Sequence, residues 1–254
     1  MSGLSWDPSR YQSFSDERGR PGFDLLARVG VAPNTVWDLG CGTGDLTAAL
    51  ATRWPSAQVW GLDSSEEMLE EARRHSTVTW IHGDIAEWQP DTPVDFVFSN
   101  AALHWLDDHQ DLFPRLMATV APGGAFAVQM PRNFGEPSHV LLAETARSAD
   151  WVGRVGHVVK EAPVGSASFY HDALGPMSSS VDIWETEYSH LLTGKDPVAR
   201  WVRGTALLPY IEALGEAADD FIADYARRLR VAYPERSDGT TVFGFRRLFI
   251  VAQP

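Results

Sequence analysis

The run Val36-Trp37-Asp38-Leu39-Gly40-Cys41-Gly42-Thr43-Gly44-Asp45-Leu46-Thr47 constrains this chain more than any other segment. A short apolar strand leads into three glycines on alternate positions and then into a helical pattern. Glycine takes φ > 0 and lets the backbone approach a ligand, so Gly40, Gly42 and Gly44 suit a tight turn wrapped around something bound. A dinucleotide fingerprint reads G-x-G-x-x-G and seats a pyrophosphate on the helix N-terminus. The spacing in this chain is G-x-G-x-G, with Asp38 two residues ahead of it. A carboxylate beside the loop repels a pyrophosphate and suits a ligand bearing an ammonium and a sulfonium charge.

From residue 36 to 130 strand and helix patterns alternate, which predicts a parallel sheet covered on both faces. Strands are expected at 35–39, 58–62, 78–82, 94–99 and 124–130, with helices near 44–53, 65–74 and 108–120. The second helix opens with Ser64-x-x-Glu67, a capping box. Beyond Met130, residues 136–149 read as helix and 152–168, with glycine and proline, as a lid or loop. Residues 181–192 and 241–252 read as strands that close the sheet's edge. Between them an insertion begins Asp196-Pro197, a helix N-cap and first-turn pair, and continues through Trp201 and Val202. Its second helix sets Phe221, Tyr225 and Leu229, with Ile222, opposite Asp219, Asp220, Asp224, Arg227 and Arg228, so one face is to be buried. The expected fold is α/β, a Rossmann-like seven-stranded, mostly parallel sheet with helical lid insertions. It is read as a single domain over 1–254, with an N-terminal lid segment (1–34), a cofactor-binding core (35–130) and a substrate-side half (131–254) whose insertions lie at about 136–168 and 195–234.

Composition narrows the partners. The 254 residues include 21 basic and 34 acidic side chains, a net charge of −13, and no basic run exceeds a pair of neighbours. That balance argues against nucleic acid and anionic membrane. No apolar stretch reaches the roughly 18 residues of a membrane helix. The single cysteine, Cys41, excludes an internal disulfide, and the first residues lack the basic and apolar regions of a signal peptide, so a cytoplasmic location is expected. His139, His157 and His171 have no metal-ligand spacing, and no metal is expected.

In a doubly wound sheet, ligands bind outside the carboxyl ends of the strands. The second strand ends Gly61-Leu62-Asp63, placing a carboxylate for a ribose diol, although Asp63 could equally cap the next helix beside Ser64. Gly83-Asp84-Ile85 follows the third, where Asp84 suits an adenine amino group or closes a turn, Ile85 packs on the ring, and Met68 covers its other face or joins the core. After the fourth come Ser99-Asn100-Ala101-Ala102-Leu103-His104-Trp105, facing the place where a methyl group would leave. The ligand these strand ends describe is S-adenosylmethionine, held by Asp38, Gly40, Cys41, Gly42, Asp63, Ser64, Met68, Asp84, Ile85 and Asn100.

The D-x-G-x-G-x-G loop, the acid closing strand two, the G-D-I after strand three and A-L-H-W resemble class I S-adenosylmethionine-dependent methyltransferases. A closer resemblance, to the trans-aconitate 2-methyltransferase family, extends over nearly the whole chain. It rests on Trp6-Asp7-Pro8-Ser9, Tyr11, Phe14-Ser15, Glu17-Arg18, Arg20-Pro21, Asn100-Ala101, His139-Val140-Leu141, Val181-Asp182-Ile183-Trp184 and Arg247-Leu248-Phe249-Ile250-Val251-Ala252. The resemblance implies transfer of a methyl group to one carboxylate of trans-aconitate, giving a monomethyl ester, with a small-molecule polycarboxylate as the substrate; the residues leave the oligomeric state open.

Such a nucleophile is already an anion at neutral pH, so no general base and no catalytic residue in the strict sense is expected. The two unreactive carboxylates call for arginine forks. Arg18, Arg20 and Arg247 lie on positions that match the family, whereas Arg132 and Arg246 do not; one of the N-terminal arginines could instead hold the cofactor's carboxylate, with Tyr11 or Phe14 closing over the site. The Arg246-Arg247 pair could equally be a solvated strand edge. His104 is read as a positioning or packing residue and not a base, Trp105 as lining the site or packing, and Cys41 as a small residue with no nucleophilic role. The rival readings are another small-molecule acceptor such as a phenol, an NAD-dependent oxidoreductase, which the missing G-x-G-x-x-G disfavours, and a catalytically inactive cofactor-binding module.

Overall fold

The computed structural model describes residues 19–159 and 162–254. Its strands β1 (Thr35–Leu39), β2 (Gln58–Asp63), β3 (Thr79–His82), β4 (Val94–Asn100), β5 (Val120–Pro131), β6 (Ser180–Thr193) and β7 (Thr240–Gln253) form one sheet in the order β3-β2-β1-β4-β5-β7-β6. The first five are parallel, with Val36 paired to Val59 on one side and Phe96 on the other. Val36, Leu39, Phe96, Val97 and Phe98 are fully buried, and a strand covered on both faces reads as such a continuous apolar run. The order reverses between β1 and β4, so the glycine loop after β1 opens at the switch point of the sheet.

Ser179 N donates to the Gln253 carbonyl, and Glu187 lies against Gly244 further along, so the start of β6 meets the end of β7 and the two run antiparallel. β7 takes an inner place between β5 and β6, and β6 forms the edge.

Two compact units are present. The first comprises residues through Met130 with Val164–Trp184 and Leu248–Pro254; the second comprises Pro131–Pro163 and Glu185–Arg247. The first holds α1 (Arg20–Ala27), α2 (Asp45–Arg53), α3 (Glu66–Ala72), α4 (His109–Met117) and α7 (Ala167–Leu174). The second holds α5 (Pro137–Arg147), α6 (Val152–Val155), α8 (Pro197–Arg203), α9 (Leu208–Leu214) and α10 (Ala218–Ala232). In α1, Leu25 and Leu26 are buried, and Arg53 closes the helix end by donating to the carbonyls of Leu26 and Val29. The buried stripe of α10 is Phe221, Tyr225, Ala226 and Leu229, as the periodicity predicts, with Tyr210 stacked on Phe221 at 5.5 Å.

Several local expectations shift. The N-cap of α3 is Ser65, whose hydroxyl accepts from Met68 N, so the cap lies one residue beyond the Ser64-x-x-Glu67 box. β5 begins at Val120 and runs through Pro122-Gly123-Gly124 with a register shift against β4. A Cβ on Gly124 would stand 2.4 Å from the Asp95 carbonyl, so tertiary contact sets glycine there. The stretch expected as a lid or loop at 152–168 contains α6, a 3-10 turn at Gly156–Val158 and the first residues of α7.

Candidate active site

The glycine loop is tied to the end of β2. Gly40 N and Cys41 N both donate to the Leu62 carbonyl, at 2.8 and 3.0 Å. Gly42 N donates to Asp63 Oδ2 at 2.8 Å, and Asp63 Oδ1 accepts from Ser65 N at 2.9 Å. One carboxylate thus joins the loop to the start of α3: Asp63 takes the N–H of Ser65, and the cap of the helix is the Ser65 hydroxyl. Each oxygen has a second lone-pair site, so these bonds leave acceptor capacity for a ligand hydroxyl.

The three glycines have φ of 79°, 54° and 80°, and they serve two different ends. A Cβ on Gly40 would meet the Ala102 Cβ at 2.1 Å, and one on Gly44 would meet the Trp80 ring at 2.5 Å. A Cβ on Gly42 would meet no atom within 4 Å. Gly40 and Gly44 therefore permit packing, and Gly42 presents bare backbone to open space. Trp80 also lies 2.5 Å from a Cβ built on Gly61, so one indole enforces two glycines, a role that its position on β3 did not reveal.

Asp38 lies beneath the loop, 2 % exposed, and accepts from Thr47 Oγ1 at 2.6 Å. Burial pushes its carboxyl up to about 7; the Asp63 charge adds to the rise and the Thr47 bond opposes it. Burial, with the Asp38 and Asp63 carboxylates, also pushes the Cys41 thiol far above its ordinary value, so it is a neutral small residue and no nucleophile.

At the end of β4, Ser99 Oγ donates to the Leu39 carbonyl at 2.7 Å, and Asn100 Oδ1 is buried with no hydrogen-bond partner among the described residues. Ala101 takes φ of 54°, a costly conformation for alanine that is held by its N–H bond to the Gln129 carbonyl. A 3-10 turn, Leu103–Trp105, follows; its Trp105 is 63 % exposed with the His104 ring 4.7 Å away.

That turn is anchored from α4. His109 Nε2 lies 2.9 Å from the Leu103 carbonyl, which can only accept, so Nε2 carries the proton. Nδ1 then accepts from Tyr170 Oη at 2.7 Å, and Tyr170 Oη accepts from Gly165 N at 3.2 Å. Burial lowers the His109 pKa and keeps this neutral tautomer.

Residues 36–124 match a methyltransferase-domain family. A trans-aconitate 2-methyltransferase of Azoarcus sp. is 45% identical over 251 residues, covering 98% of each chain. One of Streptomyces avermitilis is 44% identical over 98% of this chain and 96% of its own. The chain belongs to the trans-aconitate 2-methyltransferase family. Among solved structures, the YcgJ protein of Bacillus subtilis superposes with a TM-score of 0.55 at 17% identity, over 91% of this chain and 96% of that one. A phosphoethanolamine N-methyltransferase of Haemonchus contortus in complex with S-adenosyl-L-methionine gives a TM-score of 0.55 at 17% identity; the match covers 96% of this chain and 56% of that one. These likenesses establish the Rossmann-like class I methyltransferase fold.

Against the family pattern, the candidate residues divide by unit. Asp38, Gly40, Cys41, Gly42, Asp63, Ser64, Met68, Asp84, Ile85, Asn100, His104 and Trp105 all lie in the first unit. Met68 is 44 % exposed, which removes the core reading. Asp84 Oδ1 closes a turn by accepting from Ala86 N at 2.8 Å. Ser64 contributes its carbonyl to His82 Nε2 at 3.0 Å. Tyr11, Phe14 and Arg18 lie outside the described residues. Arg20 is on an open face of α1, its side chain 72% exposed and 3.6 Å from Asp24.

In the second unit, Arg132 pairs with Glu185 at 2.6 Å, and Arg246 reaches Glu136 at 3.0 Å with Glu185 and Glu187 at 3.9 Å. Both cations are neutralised by carboxylates. Arg247 is 6 % exposed with its guanidinium 4.7 Å from the Phe245 ring centre, so the two neighbours have opposite surroundings and the solvated-edge reading does not apply to Arg247. Among the described residues, no group of three or more His, Cys, Asp or Glu side chains could hold a metal ion, and no helix is long and apolar enough to cross a membrane.

Proposed function

We propose that this chain binds S-adenosylmethionine over the glycine loop and transfers its methyl group to one carboxylate of trans-aconitate, giving a monomethyl ester. The observation that carries the reading is likeness over 98% of the chain to relatives named for that reaction. The residues present fit the cofactor. Gly42 offers backbone with open space on its Cβ side, Asn100 Oδ1 is a buried acceptor with no partner among the described residues, and Asp38, Asp63 and Asp84 supply the carboxylates that an ammonium, a ribose diol and an adenine amino group require.

When bound, the cofactor supplies an electrophilic methyl on a sulfonium that leaves as a neutral thioether. The chain's own contribution is placement. A carboxylate with a pKa of about 4 is already the nucleophile at neutral pH, so no side chain must remove a proton. Attack converts an anion and a cation into two neutral groups, and a dry pocket favours that change. Alignment of the reacting oxygen with the methyl carbon, worth roughly 7–11 kcal/mol of barrier in well-oriented systems, is the largest effect available. The turn bearing His104 and Trp105, held by His109 and Tyr170, and the strained Ala101 serve that alignment. Arg18, Arg20 and Arg247 are the candidates to pair with the two unreactive carboxylates.

The test is methyl transfer from labelled S-adenosylmethionine to trans-aconitate, with cis-aconitate, isocitrate and a simple phenol in parallel. A selective trans-aconitate ester is expected. Transfer to the phenol alone would keep the fold and replace the acceptor.

A further inference from the structure

The segment that follows β3 is one tight helical turn. Glu87 N donates to the Asp84 carbonyl at 3.2 Å, Trp88 N to the Ile85 carbonyl at 3.3 Å, and Ala86 N to Asp84 Oδ1. A single turn of this kind has little intrinsic stability. Its far end is anchored by Trp88, which is 6 % exposed and packs 5.3 Å from Trp37 of β1. Its near end presents Asp84, with Ile85 Cδ1 standing 3.5 Å from a Cβ built on Gly40.

Arg115 of α4 grips the turn at two points. Its Nη2 donates to the Ile85 carbonyl at 2.9 Å and its Nη1 to the Trp88 carbonyl at 2.7 Å. A planar guanidinium fixes two acceptors in one geometry, which an ammonium on a flexible stem does not. We propose that Arg115 is the positioning residue of the adenine subsite: by holding the Ile85 and Trp88 carbonyls it sets Asp84 and Ile85 against the base without touching it. This rests on the reading of Asp84 and Ile85 given above.

Calorimetry on the full chain, with S-adenosylhomocysteine and its inosyl analogue, tests it, because the analogue replaces the amino group offered to Asp84 with an oxygen. The wild-type chain is expected to prefer the adenosyl form. Arg115→Ala should weaken S-adenosylhomocysteine binding at least tenfold and bring the two analogues within about threefold of each other, while the KM for trans-aconitate at saturating cofactor shifts less than threefold. Arg115→Lys, which keeps the charge and at most one of the paired bonds, should fall between. If Arg115→Ala does not fold, the adenosyl-to-inosyl ratio of Arg115→Lys decides. An unchanged ratio in the folded variant, or equal loss for both analogues with a lowered Tm, would reduce Arg115 to a packing residue and overturn the proposal. A wild-type chain that binds neither analogue overturns the cofactor reading beneath it as well.

Discussion

Asp63 and Gly42, twenty-one residues apart, are joined by a 2.8 Å hydrogen bond in which a strand-end carboxylate holds the backbone N–H of the one loop glycine that faces open space. The same side chain accepts from Ser65 N, the N-cap residue of α3, so loop and helix share one anchor. Asp63→Ala removes that anchor together with the acceptor proposed for the ribose diol. S-adenosylhomocysteine affinity should fall at least tenfold, about 1.4 kcal/mol or more, by calorimetry. Unchanged affinity would place the diol elsewhere.

The glycines separate folding from binding. Gly44→Ala drives a methyl into Trp80 and should lower the Tm by several degrees. Gly42→Ala meets no protein atom, so it carries only the positive-φ cost of roughly 1–2 kcal/mol. Its cofactor affinity should nevertheless drop well beyond tenfold. Equal binding losses in the two variants, once corrected for the folded fraction, would contradict this division.

Asp38 is expected to make both stability and cofactor binding depend on pH. Its carboxyl keeps a proton up to about 7 in the fold, against an ordinary 3.8, so between those values the unfolded chain carries fewer protons and stability declines as pH rises. The total is on the order of 4 kcal/mol. Asp38→Asn should therefore lose less Tm than the wild type between about pH 5 and pH 7.5, measured without ligand. A cationic ligand favours the ionised carboxylate, so wild-type affinity for S-adenosylmethionine should strengthen as pH rises through about 7, and the Asn variant's profile should be flatter. Parallel profiles for the two proteins would remove Asp38 from the linkage.

Arg246 and Arg247 are expected to respond oppositely. Arg246 is held by Glu136, so Arg246→Ala should leave the KM for trans-aconitate within about twofold. Arg247→Lys keeps the charge and loses the fork, and should raise that KM about tenfold with little change in cofactor affinity. The reverse pattern would point to Arg247 as a packing residue over Phe245.

His104→Gln reports on the nature of the acceptor. Methylation of a carboxylate requires no base, so kcat should fall less than about fivefold; a loss of 10²-fold or more would indicate general-base chemistry on a protonated acceptor.

What the sequence displayed clearly was local. The Asp38-to-Gly44 loop, the strand-end acids and the buried face of α10 each follow from neighbours a few positions away, and each is present in the structure. What it concealed depends on distance along the chain. The His109–Tyr170 bond spans 61 residues, and α7, which carries Tyr170, had no pattern strong enough to announce itself. Trp80 looks like any strand aromatic until the sheet brings it against Gly44 and Gly61. The cap of α3 fell on Ser65 because two adjacent serines compete for one role and Asp63 decides between them by accepting from Ser65 N. The place of β7 inside the sheet is likewise a matter of topology, since an inner strand and an edge strand of similar composition read alike.

The neutral Cys41 thiol is the chain's one cysteine, and it sits within the loop itself. Alkylating reagents attack thiolates, so a folded, closed loop is nearly inert to them at neutral pH. Modification then proceeds through moments when the loop lets go, and intact mass registers each such event as a single added label with no background from other sites. Labelling of Cys41 is therefore expected to time the opening of that loop, and a ligand that holds the loop closed should slow it.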